Sequence, residues 1–183
     1  MESLQFAREI GDRVAIAYSL DLLGTFWRAQ EDYTQASAYY EDSLAIFKAI
    51  HNQEGSAWGL HNLGHLALRI HDIIQAVTRF TEAITLAYPL SYTHVIVACL
   101  SGLAGCAYVV RQSERAVELF GYVGAMFERI GEGWEAPDRI AYQYYVALLR
   151  SQLNSATFAA KWDEGRAMTL DEAIAEALDI VNR

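Results

Sequence analysis

The stretch that decides the fold is LDLLGTFWRAQEDYTQASAYYEDSL, residues 20–44. Its apolar and small residues recur at helical intervals on both sides of a polar break at Glu31-Asp32. The pattern returns forty residues later and again after forty more, and a fixed period of this size indicates a helical solenoid. The copies align as Leu20, Leu23, Gly24, Trp27, Ala36 and Tyr40; Leu60, Leu63, Gly64, Ala67, Ala76 and Phe80; and Leu100, Leu103, Ala104, Ala107, Ala116 and Phe120.

The acidic balance of the chain excludes some classes of partner. Its 183 residues include 23 acidic and 14 basic side chains, which gives a net charge of -9. Because such a surface repels phosphate groups, we expect no direct contact with nucleic acid and no attraction to an anionic membrane. No apolar run approaches the roughly 18–20 residues that a membrane span needs, and residues 1–12 lack the pattern of a signal peptide.

The two cysteines favour a reducing compartment. Cys99 and Cys106 lie on one predicted helix, where a spacing of seven residues puts their Cα atoms about 10 Å apart. That distance is too long for a disulfide. Two free, buried thiols predict a cytoplasmic protein.

Glycine and capping residues predict where the helices begin and end. Gly11 suits the left-handed backbone conformation that often ends a helix. Asp12 can accept hydrogen bonds from the first N–H groups of the next helix. The pairs at the same repeat position are His51-Asn52, Ser91-Tyr92 and Gly131-Glu132, and we expect Ser91 or Thr93 to replace the missing cap at Tyr92. The predicted helices span about 13–30, 33–49, 53–70, 73–88, 93–111 and 113–130, with a turn at Pro89.

Small residues at fixed repeat positions have a packing role. Gly24 and Gly64 allow the two helices of a pair to approach closely, and Tyr40 and Phe80 fill the space beside them. We therefore expect both glycines at the crossings of adjacent helices, where a larger side chain would overpack the pair.

The first ten residues repeat the end of a later helix. Ser3-Leu4 matches Ser43-Leu44, and Ile10 begins a series that continues at Ile50 with the same spacing. We expect residues 1–10 to be the second half of a preceding repeat, so that the array continues N-terminal to Met1. The alternative is a natural capping helix, because terminal repeats are often atypical.

The period is lost after Gly133. Helices are predicted from Pro137 to about residue 153, over about 155–165, and from the capping box Thr169–Glu172 to about residue 181. We interpret residues 132–183 as a three-helix cap on three repeats that span residues 11–131. Five aromatic residues there form either the core of the cap or a self-association patch: Trp134, Tyr142, Tyr144, Tyr145 and Trp162.

A Leu-Gly pair followed twelve residues later by Ala, and four residues after that by an aromatic residue, resembles the tetratricopeptide repeat. Leu23-Gly24, Ala36 and Tyr40 carry the pattern; the second copy keeps it, and the third has Ala104 in place of glycine. The resemblance covers residues 1–131 and implies an all-α, right-handed superhelix of helical hairpins that binds a protein or peptide. The 40-residue spacing exceeds the usual 34, so we expect longer helices.

The tail FAAKWDEGRAMTLDEA, residues 158–173, resembles the C-terminus of large bacterial regulators of the STAND and LuxR types. The resemblance implies a sensor or interaction domain of a cytoplasmic signalling or transcriptional regulator, with the ATPase and output domains upstream. No Gly-rich phosphate loop occurs in the chain itself. The alternative function is a stand-alone scaffold or oligomerisation module without a regulatory switch.

In tetratricopeptide folds the first helix of each pair lines the concave face, where ligand peptides lie. A clamp for a C-terminal carboxylate is not expected, because only Asn62 matches its Lys, Arg and Asn set. The alternatives to a binding groove are a solvated groove and a groove filled by a neighbouring part of the chain. The predicted groove residues are Tyr18, Asp21, Thr25, Arg28, Trp58, His61, Asn62, His65, Arg69, Ser101 and Tyr108.

His61 and His65 are four residues apart, a spacing that can chelate a metal, and Asp21 is the possible third ligand. The metalloprotease motif is absent because Asn62 follows His61, and such histidine pairs are usually polar surface residues. We therefore expect no metal and no cofactor.

No catalytic residues are predicted. Cys99 and Cys106 have no evident activating partner, and the group Glu132, Glu135 and Asp138 is expected to be a solvated loop.

Overall fold

The computed structural model describes residues 2–130 and 136–180, and these ranges contain α-helices, one short 3-10 helix and no strands. The helices begin and end close to the predicted positions. Their bounds are α1 Glu2–Ile10, α2 Arg13–Ala29, α3 Tyr33–Ala49, α4 Gln53–Arg69, α5 Ile73–Ala87, α6 Thr93–Val109, α7 Ser113–Ile130, α8 Ala136–Gln152, α9 Ser155–Ala167 and α10 Leu170–Leu178, with the 3-10 helix at Tyr88–Leu90.

The helices stack in sequence order as antiparallel pairs. The pairs α2–α3, α4–α5 and α6–α7 each pack internally, and α3 and α5 also pack on the first helix of the following pair. One apolar cluster runs from Ala36 through Phe80 and Phe120 to Ile180. The expected all-α, tetratricopeptide-like solenoid is confirmed.

The turns between helices repeat with half the period of the pairs. A residue with positive φ, between 56° and 71°, ends each helix from α1 to α6 or follows closely after it. At the start of α2 to α6 the next residue is the N-cap, and Asp12, Asp32, Asn52 and Asp72 each accept a backbone N–H bond from three residues further on. The positive-φ residues are Gly11, Glu31, His51, His71, Ser91 and Arg111.

The cap at the start of α6 differs from the prediction. Tyr92 is the N-cap residue and makes no side-chain capping bond. The Thr93 hydroxyl donates to the Ser91 carbonyl at 3.3 Å, so neither expected substitute caps the helix. The 3-10 turn that contains Pro89 delivers the chain to this point.

Glycines lie at the helix crossings as predicted. A Cβ atom on Gly24 would lie 2.6 Å from the ring of Tyr40, and one on Gly64 would lie 2.8 Å from the ring of Phe80. A Cβ atom on Gly102 of the next pair would also collide with Phe80. Phe80 is therefore held between glycines of two successive first helices, and the expectation for Gly24 and Gly64 is confirmed.

Three helix ends differ from prediction by two or more residues. The helix α6 stops at Val109 because Arg111 adopts the left-handed conformation, and α9 extends to Ala167 before the cap of α10. The helix α10 ends at Leu178 rather than near residue 181, which lies outside the described residues, as do Gly131 and Gly133.

The C-terminal helices do not extend the stack in simple order. The helix α9 packs along α7, where a Cβ atom on Gly121 would lie 2.5 Å from the Trp162 carbonyl oxygen. Thus α9 stands where the first helix of a further pair would pack, and α8 is inserted before it. The helix α10 packs on α6 and α7, and Arg115 of α7 binds Glu176 and Asp179.

Every helix in the described part of the chain is too short or too polar to cross a lipid bilayer.

Candidate functional site

The helices α2, α4 and α6 together form one surface, here named the inner face, and α8 lies against it. Tyr145 of α8 packs on Tyr108 of α6 with ring centroids 5.3 Å apart, and Gln152 donates to the Tyr108 hydroxyl at 2.9 Å. At the other end of α8, Asp138 faces α4. The inner face is therefore partly covered by the chain's own helix, as one of the alternatives above allowed.

Asp138 is not in a solvated loop, and that prediction is wrong. It lies in the first turn of α8 and is only 5% exposed. An acidic residue there is favoured by the positive end of the helix dipole. Glu132 and Glu135, the other members of the predicted group, lie outside the described residues.

Two histidines of α4 face the Asp138 carboxylate. His61 Nε2 lies 3.4 Å from Asp138 Oδ2, and His65 Nε2 lies 3.7 Å from Asp138 Oδ1. The imidazole rings contact each other edge to face at 4.6 Å between centroids. His61 is fully buried and His65 is 9% exposed, so they are not the polar surface residues that the sequence predicted.

Burial decides the charge state of this cluster. Desolvation, the neighbouring His61 and the Arg28 cation lower the pKa of His65 to about 3, against the opposing pull of Asp138. Desolvation acts to raise the pKa of Asp138, but His61, His65 and Arg28 hold it below its usual value. At neutral pH, His65 is therefore neutral and Asp138 is an anion.

A groove of about 490 Å³ opens beside this cluster, between α2, α4 and α8. Arg28 and Arg69 supply positive charge, and Ile140 and Tyr144 are 65% and 59% exposed. Among the described residues, Arg28 Nη2 has no hydrogen-bond partner although it is buried. The complete lining is Thr25, Arg28, Ala29, Glu31, Tyr33, His65, Leu68, Arg69, Asp138, Ile140, Ala141, Tyr144 and Tyr145.

Hydrogen bonds fix the residues at the edge of this groove. The Arg69 guanidinium donates to the Tyr33 hydroxyl at 3.1 Å and lies over the Tyr33 ring. The Thr25 hydroxyl and the Tyr40 hydroxyl are 3.0 Å apart. These contacts tie both α2 and α4 to α3, so the groove wall is preorganised.

The structure brings together four of the eleven predicted binding residues. Thr25, Arg28, His65 and Arg69 line one groove. The other residues are distributed along the inner face or buried beneath it. Tyr18 packs on Phe47; Asp21 accepts a bond from Asn62; Trp58 packs on His61; Ser101 is buried; and Tyr108 lies under α8.

Reading the sequence missed the contribution of α8. Asp138, Ile140, Tyr144 and Tyr145 all face the groove, yet none belongs to the repeats. The signal in the sequence was the row of polar residues His61, Asn62 and His65 within an otherwise apolar helix. Such residues need polar partners when they are buried.

Most aromatic residues of the C-terminal part pack internally. Tyr142 and Tyr145 contact Phe120, and Trp162 stacks on Phe158 at 5.5 Å between centroids. Tyr144 is exposed, and Trp134 lies outside the described residues. These contacts favour the interpretation as a core over the interpretation as a self-association patch.

The cysteines are poorly placed for nucleophilic chemistry. Both are fully buried, and burial raises the pKa of Cys106 to about 12 and that of Cys99 well above its usual value. A thiol held neutral in this way is a weak nucleophile.

Comparison with known proteins identifies the repeat. No curated protein matches the chain. Residues 13–88 match the family described as "Tetratricopeptide repeat", and this range contains the pairs α2–α3 and α4–α5 and two sides of the groove. That family is a non-catalytic scaffold whose repeats mediate the binding of protein partners. The match supports a tetratricopeptide repeat domain over residues 13–88, and this range supplies two sides of the groove between α2, α4 and α8.

Proposed function

We propose that this chain is the partner-binding arm of a cytoplasmic bacterial signalling or transcriptional regulator. It takes a short acidic segment of a partner protein in the groove between α2, α4 and α8. The observation that carries the proposal is the buried Arg28 Nη2 atom, which has no hydrogen-bond acceptor among the described residues. A carboxylate from a ligand would satisfy that donor and form a charge-assisted bond.

The remaining groove residues suit the same ligand. Arg69 offers a second cation at the rim, and the exposed Tyr144 and Ile140 offer apolar surface to neighbouring side chains. Aromatic and arginine residues of this kind dominate the energetics of protein interfaces. Asp138 and Glu31 also line the groove, so we expect the ligand carboxylate to enter on the side of Arg28 and Arg69.

The regulatory assignment rests on the resemblance of residues 158–173 and on the N-terminal helix. Phe6 and Ile10 of α1 are 63% and 59% exposed, and a preceding repeat would bury that apolar face. This exposure supports an array that extends N-terminal to α1, and the upstream switch is what the resemblance of residues 158–173 implies. A full-length gene that encodes a nucleotide-binding domain before these repeats would support this part of the proposal.

A displayed library of random peptides tests the binding proposal. We expect the chain to enrich peptides that contain Asp or Glu, and we expect Arg28→Gln and Arg69→Gln to lose that enrichment. Arg8→Gln, on the exposed part of α1, is the control and should select the same peptides as the unmodified chain. If Arg28→Gln selected the same peptides with equal affinity, the assignment of the groove would be wrong.

A further inference from the structure

We infer that His61, His65 and Asp138 form a binding site for a divalent cation of the zinc class. This site is separate from the proposed peptide contacts, although it borders the same groove. It is also the one group of three or more such side chains that the described residues place within reach of a common ion.

The spacing of the ligand atoms carries the inference. One nitrogen of each histidine and one oxygen of the carboxylate all lie within 4.8 Å of one another. Ligands bound to one tetrahedral Zn²⁺ at about 2.0–2.2 Å lie about 3.3–3.6 Å from each other. Each histidine approaches a different oxygen of the carboxylate, His61 at 3.4 Å from Oδ2 and His65 at 3.7 Å from Oδ1, and both separations are close to this range.

The same separations fit poorly with direct hydrogen bonds. An N–H···O bond spans 2.7–3.2 Å, and both histidine–carboxylate distances exceed this range. His65 Nε2 is buried and makes no hydrogen bond within the described ranges 2–130 and 136–180. A metal ion bound to the carboxylate would give this nitrogen a partner.

The arrangement also has the form of a metal site. His61 and His65 are four residues apart and lie on neighbouring turns of one face of α4. Asp138 comes from α8 on the opposite side. Two imidazoles and one carboxylate are a ligand set that binds zinc, cobalt and nickel. His65 and Asp138 line the groove, so a fourth ligand would enter from that side. Asp21, the third ligand suggested by the sequence, accepts a hydrogen bond from Asn62 instead.

Binding of a cation would join α8 to α4. The helix α8 reaches the inner face through Asp138 at one end and through Tyr145 and Gln152 further along. A metal ion at the Asp138 end would therefore hold the wall of the groove in place. The Arg28 cation lies close enough to lower the pKa of both His65 and Asp138. Its positive charge would also repel a metal ion bound there.

Titration of the metal-free full chain with Co²⁺ tests this inference, because tetrahedral Co²⁺ gives intense visible absorption bands. We expect one Co²⁺ per chain, displaced by Zn²⁺. Asp138→Asn and His65→Gln should weaken Co²⁺ binding by more than about tenfold, whereas His94→Gln, an exposed helical histidine, should leave it unchanged. Circular dichroism of each variant shows whether it remains folded.

Arg28→Gln separates this inference from the proposed function. Removal of the cation should tighten Co²⁺ binding while it abolishes the selection of acidic peptides. Absence of saturable Co²⁺ binding to the folded chain would overturn the metal site and leave the peptide proposal intact. Equal Co²⁺ affinity in Asp138→Asn and the unmodified chain would also overturn it, because the ion would then lie elsewhere.

Discussion

The Oδ2 atom of Asp138 lies 3.4 Å from Nε2 of His61, on the inner face of the repeats. His61 belongs to the second repeat, whereas Asp138 belongs to α8, a helix that has no counterpart in any repeat. Their contact shows that α8 turns back over the first helices of the pairs. The C-terminal part of the chain therefore determines which part of the groove stays open.

Tyr145 should hold α8 in place, whereas its neighbour Tyr144 should not. Tyr145 contacts both Tyr108 and Phe120, but Tyr144 is 59% exposed. We expect Tyr145→Ala to cost about 1–3 kcal/mol and to raise amide hydrogen exchange across Ala136–Gln152. Tyr144→Ala is the control; equal exchange in the two variants would contradict this role.

The crossing at Gly64 should not tolerate a methyl group. A Cβ atom there would lie 2.8 Å from Phe80, and Gly102 on the other side prevents the ring from moving away. On the same helix, a Cβ atom on Gly59 would lie 3.3 Å from Leu44. We expect urea denaturation to show Gly64→Ala less stable than Gly59→Ala by about 1–3 kcal/mol. Equal stability of the two variants would show that the helices are not packed this closely.

Arg115 should anchor the last helix. Its guanidinium binds Glu176 at 2.5 Å and Asp179 at 3.1 Å, and its side chain is only 11% exposed. Because these bonds are charged and shielded, Arg115→Gln should cost about 1.5–3 kcal/mol and increase hydrogen exchange in α10. Arg79→Gln breaks a more exposed pair with Glu41 and should cost about 0–1 kcal/mol. Unchanged exchange of α10 in Arg115→Gln would contradict this anchoring role.

The cysteines should be unreactive in the folded chain. Burial raises the pKa of Cys106 to about 12 and that of Cys99 well above normal, so raising the pH from 7 to about 9 should not start reaction with a disulfide reagent. Both thiols should react after unfolding in urea.

The same shifts predict how stability depends on pH. In the unfolded chain these thiols ionise near their ordinary pKa of about 8.5, but in the folded chain they remain protonated. The folded state then binds more protons, so the free energy of unfolding should fall as the pH rises above about 8.5. Cys99→Ala and Cys106→Ala together should remove that part of the fall, and an unchanged slope would contradict it.

The periodic part of the fold could be predicted because each repeat position carries one packing requirement. Gly24 and Gly64 lie where the spacing placed them, and the helices of the repeats begin at the predicted capping residues. The lack of a side-chain cap at the start of α6 was not predicted, because the 3-10 turn that contains Pro89 has no counterpart in the other repeats.

The candidate site could be predicted only in part. Arg28, His65 and Arg69 follow from the repeat register, because first helices face the groove. The repeat register contains no information about α8. The contacts of α8 with α4 depend on the segment between α7 and α8, which does not follow the 40-residue period. Grouped with Glu132 and Glu135, Asp138 was expected to be solvated, although it is buried against α4.

The most direct measurement of the central claim, that α8 lies on the inner face, is a nuclear Overhauser spectrum of the chain in solution. The rings of Tyr108 and Tyr145 are 5.3 Å apart between centroids, so their protons should give cross-peaks. Cross-peaks between these rings would confirm that α8 covers α6. Their absence, with α8 in rapid amide exchange, would contradict the account.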